Sequence, residues 1–205
     1  MISAKPLRSL RFAAALAGLA LALVALGGCL VDSRYPIAPP DPAAADPDLL
    51  GTWGGGSENG AVFFHVFQPA GSVPGTVEIV AVAFEKDGSG SVDRYCGHLS
   101  RVGKARYINL VGPLADCKTA SDEPFFFVLY DERPDGGLDV RLMREDAVVK
   151  AIGAGKLAGK KDAEGAPTSH ITAEPEQIRA FLLAADTAAL WDELIALRRV
   201  EPPSP

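Results

Sequence analysis

Reactive side chains are scarce in this chain. Its 205 residues include three cysteines, three histidines and two tryptophans. His65, His98 and His170 sit on separate segments, without the convergent spacing that three or four zinc ligands need. No Cys-x-x-Cys pair suggests redox work, and no Gly-x-Ser-x-Gly surrounds a serine as a nucleophile elbow requires. The glycine- and lysine-rich stretch 153–165 lacks the Gly-Lys-Ser/Thr of a phosphate loop and reads as a connector. Asp87 to Asp93 has the look of a calcium loop, but the position that needs glutamate is His98, so a hairpin turn is the better reading. The expectation is a protein without metal, cofactor or catalytic machinery. Positive charge is also short, with 20 Lys and Arg against 26 Asp and Glu and a net charge of −6. That balance disfavours nucleic acid, whose phosphates need neutralising cations. Finally, the apolar run from Phe12 to Leu26 covers 15 residues, short of the ~20 needed to span a bilayer core.

What is present starts at the N-terminus. Lys5, Arg8 and Arg11 precede that apolar run, and Gly27 and Gly28 follow it, which is the layout of a secretory signal peptide over 1–28. The tetrapeptide Leu26-Gly27-Gly28-Cys29 resembles the lipobox of bacterial lipoproteins. The resemblance implies cleavage before Cys29, a diacylglyceryl group on its thiol and often a fatty acyl group such as palmitate on its amine. Each buried methylene contributes ~0.8 kcal/mol, so two or more chains anchor a protein stably. Leu30 and Val31 follow the cysteine where an aspartate commonly retains such proteins at the inner membrane. The expected location is the cell envelope, on the outer membrane facing the periplasm. Removing residues 1–28, which carry three positive and no negative side chains, takes the net charge from −6 to −9.

Residues 29–48 then read as a Pro/Ala-rich tether, with prolines at 36, 39, 40, 42 and 47. In extended geometry at roughly 3.1 Å per residue it would reach up to ~60 Å. A single β-rich domain is expected over 49–200. Ala61 to Gln68, Val77 to Glu85, Val92 to Val102, Arg106 to Val111, Phe125 to Tyr130 and Leu138 to Met143 read as successive strands separated by Gly, Pro, Asp and Ser. Two of them, AVFFHVFQ and VEIVAVAF, are apolar on both faces and call for a cover on each side. Helices are expected from Asp146 to Ile152, from Pro175 with Ile178, Phe181 and Leu182 on one face, and from Asp186 with Leu190, Leu194 and Leu197.

Gly51-Thr52-Trp53 opens the first of these strands and resembles the Gly-x-Trp signature of lipocalins. The resemblance implies an antiparallel lipocalin-like β-barrel whose floor Trp53 closes, with an arginine packed on the ring. Arg141, Arg144 and Arg198 are the candidates, and the downstream Thr-Asp-Tyr motif of the family is missing. A β-sandwich, or an open sheet covered by helices, fits the same strand count. Small barrels can hold one ligand inside. The side chains expected to line such a site are Trp53, Phe63, Phe64, Phe67, Val80, Val82, Phe84, Phe126 and Tyr130. Cys96 and Cys117, the cysteines left after lipidation, are expected to form a disulfide outside the cytoplasm. The functional expectation is a membrane-anchored, non-enzymatic binding module for a small apolar ligand or lipid. The alternative is an inhibitor, interaction or envelope-assembly lipoprotein that meets an envelope protein through loops such as 54–60 and 116–124.

Overall fold

A computed structural model describes residues 31–57, 60–114, 117, 123–161 and 169–201. The signal peptide and Cys29 lie outside this set.

The turn-separated apolar segments pair in sequence order. The first barrel strand is β2 (Gly51–Ser57), followed by β3 (Gly60–Phe67), β4 (Thr76–Glu85), β5 (Gly90–Val102), β6 (Ala105–Val111), β7 (Phe126–Glu132) and β8 (Gly137–Met143). Each pairs antiparallel with the next. A final strand, β11 (Trp191–Arg199), pairs with β8 on one side and β2 on the other and closes the eight-stranded barrel. The fold is thus a lipocalin-like barrel with helices. Tight turns sit where small residues permit them: Val102 pairs with Ala105 around Gly103, whose φ of 61° is left-handed.

The last strand corrects one expectation. Leu190, Leu194 and Leu197 suit a helix, yet only α3 (Thr187–Leu190) is helical and the chain is a strand from Trp191. Two open sheet edges, on β8 and β2, compete for this segment, and pairing both outweighs a local helical spacing. The other helices fall where expected, as α1 (Glu145–Gly153) and α2 (Pro175–Ala184).

A second layer covers part of the wall. A small sheet of β1 (Val31–Ser33), β9 (Gly159–Lys161) and β10 (Ser169–Ile171) has the order β1-β10-β9. Together with α1 and α2 it packs on the outward side chains of β5 to β8, including Val102, Tyr107, Phe127, Leu129 and Met143.

The expected tether is, over its described residues, part of the fold. Ile37, Ala44 and Leu49 are buried, as are Asp32, Ser33 and Asp46. The prolines keep the segment free of long helix or strand, but they do not keep it from docking. Asn109, fully buried on the outer face of β6, accepts a hydrogen bond from the Ile37 backbone N–H at 2.7 Å. Its amide donates to the His98 carbonyl and to Ser100 Oγ. A ring nitrogen of His98 lies 2.7 Å from the Ala38 carbonyl. Burial, opposed by that bond, holds the His98 imidazole below its ordinary pKa. These ties fix the arm against the barrel.

Candidate functional site

The two ends of the barrel are built differently. One end, where β2 begins and β11 finishes, is plugged. Trp53 is 1% exposed and its indole N–H donates to the Leu49 carbonyl at 2.8 Å. The Arg199 guanidinium lies 4.4 Å from the centre of the indole. It also donates to the carbonyls of Leu50 and Asp48. So the arginine on the tryptophan is Arg199, not Arg141, Arg144 or Arg198. Strand parity decides this, because Arg199 pairs with Trp53 itself and Arg198 pairs with Gly54. The glycine of the motif is explained too: Gly51 has φ 130°, and a Cβ there would come within 2.7 Å of the guanidinium. Tyr130 completes the plug by donating its hydroxyl to Asp46 at 3.0 Å. Arg106 bridges Asp46 and Glu132 at 3.1 and 3.0 Å. Burial first, then the Asp46 charge, pushes the Tyr130 phenol far up.

The other end, which carries the β2–β3 and β4–β5 connections, is a mouth. Its inward positions are occupied by small residues, Gly55, Ala81, Ala83 and Ser91, among larger half-buried ones, Phe64, Tyr95, Leu110 and Leu142. A barrel wall that turns small side chains inward leaves its interior less filled there than at the plug. Three polar groups share this lining on alternate positions of β5. Ser91 Oγ is buried without a hydrogen-bond partner. Asp93 follows, and then Tyr95, whose phenol burial and the neighbouring Asp93 push up to about 12. Tyr95 is therefore a neutral donor at any ordinary pH.

The expected ligand-lining residues divide three ways. Phe64 and Phe126 face inward at the mouth, from the parity of Trp53–Phe64 and Leu110–Phe126. Trp53 and Tyr130 belong to the plug. Phe63, Phe67, Val80, Val82 and Phe84 face outward, which corrects their assignment to the interior. On strands apolar on both faces, only the pairing to Trp53 tells the faces apart. Tyr95, Leu110, Val140 and Leu142 were missed as lining, although the alternation of Leu138, Val140 and Leu142 signalled a common face. The outward apolar residues of β3 and β4 are not covered by the helices, which pack on β5 to β8 instead. Phe84 is 49% exposed and Val92, across the hairpin, 69%. The Phe63 and Phe84 rings meet edge-on at 6.3 Å.

Elsewhere, Cys96 and Cys117 form the expected disulfide, Cα to Cα 5.5 Å. His170 Nδ1 lies 2.5 Å from Asp32 Oδ1, tying β10 to β1. Carboxylate oxygens of Asp46, Asp48 and Glu132 converge within 4.8 Å, but Arg106 already neutralises two of them. Among the described residues no helix is long and apolar enough to cross a membrane. Comparison with protein-family models, curated proteins and solved structures gives no match.

Proposed function

We propose that this chain is an envelope lipoprotein, anchored through Cys29 and exported to the outer membrane, whose barrel binds a long-chain amphipathic molecule through its mouth without turning it over. One observation carries the reading: the interior is sealed by Trp53, Tyr130 and Arg199 at one end, whereas the other end is lined by half-buried apolar side chains and an orphaned hydroxyl. A buried hydroxyl without a partner costs about 1–3 kcal/mol, which a ligand head group with a hydrogen-bonding atom would offset. Tyr95 offers that head a donor. Asp93 repels a second carboxylate, so the favoured head is neutral or cationic, such as an alcohol, an amide or an amine.

Native mass spectrometry of the full mature protein, taken gently from the envelope of its host, tests the reading. The expected result is a lipid-sized adduct that is lost on denaturation. In solution, a fluorescent fatty alcohol should bind saturably and more tightly than the matching fatty acid. A clean apo mass together with no saturable uptake would sink the idea. The alternative, an inhibitor or assembly factor working through loops 54–60 and 116–124, predicts a stoichiometric envelope protein instead. Both loops lie partly outside the described residues.

A further inference from the structure

We infer that the mouth of the barrel rests on the membrane surface, with Phe84 and Val92 set into the lipid interface, so that its ligand enters from the bilayer rather than from the aqueous phase. The inference rests on the lipid-anchor reading of Cys29 and adds where that anchor holds the domain. Both ends of β1 are tied at the level of the mouth. Ser33 exchanges two backbone hydrogen bonds of 2.8 Å with Phe125, immediately before β7 starts at the mouth. Val31 pairs with Ser169, whose hydroxyl lies 3.4 Å from Glu145, two residues beyond the mouth end of β8. From Ser33 the arm runs away from the mouth, past Asn109 and His98, until Asp46 and Leu49 join the plug.

The chain outside the described residues therefore departs at mouth level. Cys29 precedes Val31 by two residues, a reach of about 7 Å. With the arm docked, no long tether remains on which the domain could swing out. Three strands round the rim from β7, the β4–β5 hairpin carries Phe84 and Val92 at the same axial level, each within two residues of the connection 86–89 and both exposed to solvent. An anchor on one side of the rim and an apolar edge on another define a plane that lies across the mouth. Apolar side chains of interfacial elements sit about 5–10 Å into the boundary of head groups and acyl chains. The net charge of the mature chain is negative, so apolar contact and the anchor, not charge, hold this face to the lipid.

The test uses the full mature protein reconstituted in phosphatidylcholine vesicles with or without brominated acyl chains. Phe84→Trp places a reporter at the rim. Val73→Trp places one at the plugged end, where Val73 is 49% exposed between β3 and β4. The signal of the parent, from Trp53 and Trp191, is subtracted. Brominated lipid is expected to quench the reporter at 84 several-fold more than the reporter at 73. Equal quenching, or stronger quenching at 73, overturns the orientation. So does a mature mass without acyl groups on Cys29, or no quenching at either position in a protein that sediments as a dimer, which would assign Phe84 and Val92 to a second copy. Uptake of the fluorescent fatty alcohol separates this inference from the reading beneath it. Saturable uptake with an unquenched rim keeps the carrier and removes the orientation; a quenched rim without uptake keeps the orientation and removes the carrier.

Discussion

The plug and the mouth use the same eight strands to opposite ends. At the plug, every large side chain has a partner: the Trp53 N–H has the Leu49 carbonyl, the Tyr130 hydroxyl has Asp46, and Arg199 has both a ring and two carbonyls. At the mouth, the side chains turned inward are smaller, and one hydroxyl has no partner at all. Protein interiors are packed as densely as organic crystals, so an end that departs from that rule without losing its strands is suited to take in something else. The contrast teaches that the stability of this barrel is concentrated at one end and its capacity to bind at the other.

Breaking the plug should give the largest effect. Trp53→Ala removes a fully buried ring together with its hydrogen bond and its stack on Arg199, and a loss of about 3–5 kcal/mol is expected. Denaturant unfolding measures it; a loss below about 1 kcal/mol would mean that the plug is not where the stability lies. Next comes the arm that crosses from mouth to plug. Asn109→Leu leaves the Ile37 N–H buried without an acceptor, for about 1–3 kcal/mol. Its signature is local: faster hydrogen exchange and proteolysis over residues 31–49, with the strands still protected. Uniform exposure of the whole barrel would show that the arm is not a separable layer.

Much of this architecture is legible in the sequence, and the failures share a cause. Strands β3 to β8 are readable to within about two residues because alternation and turn residues are local signals. The Gly51-Thr52-Trp53 triplet points to the plug for the same reason, since Gly51 and Trp53 are both demanded by contacts near their own backbone. What cannot be read locally is whatever depends on a distant partner. The segment from Trp191 is a strand because β8 and β2 each present an edge to it. Phe63 and Val82 face outward because Phe64 pairs with Trp53, and a one-residue change of parity would exchange the faces. Arg199 rather than Arg198 meets the indole for that reason also. The arm reads as a tether because its prolines are visible, whereas the acceptor on Asn109 that holds it lies 72 residues further along the chain. At the mouth, Phe64 and Phe126 are legible as bulky apolar residues. Ser91 and Asp93 carry no such signal and emerge only from the register.

Deleting a side chain at the mouth sharpens the comparison from the other direction. Ser91→Ala removes the orphaned hydroxyl, so stability should hold or rise by up to about 1 kcal/mol, while the fatty alcohol probe weakens by roughly fivefold, the equivalent of one lost hydrogen bond. If the probe is held as tightly as before, the head group is not near β5.

The smallest effect is a titration. An ordinary tyrosine ionises near pH 10, and burial together with Asp93 moves Tyr95 to about 12. The folded chain therefore keeps this proton when the unfolded chain has lost it. That contribution to stability is complete below pH 10 and is lost as pH rises through about 12. Tyr107, buried on the covered outer wall, titrates in the same window, so the fall in the unfolding midpoint belongs to both. Tyr95→Phe should make the fall shallower without removing it. The bound probe separates the two ends of the barrel more finely. A head group that accepts from the Tyr95 phenol stabilises its neutral form, so phenolate absorbance assigned to Tyr95 should appear at higher pH with the probe bound. Tyr130, bonded to Asp46 inside the plug, should not respond. Should the probe leave Tyr95 unchanged, the head group lies elsewhere on the rim, and Ser91 and Asp93 lose their role with it.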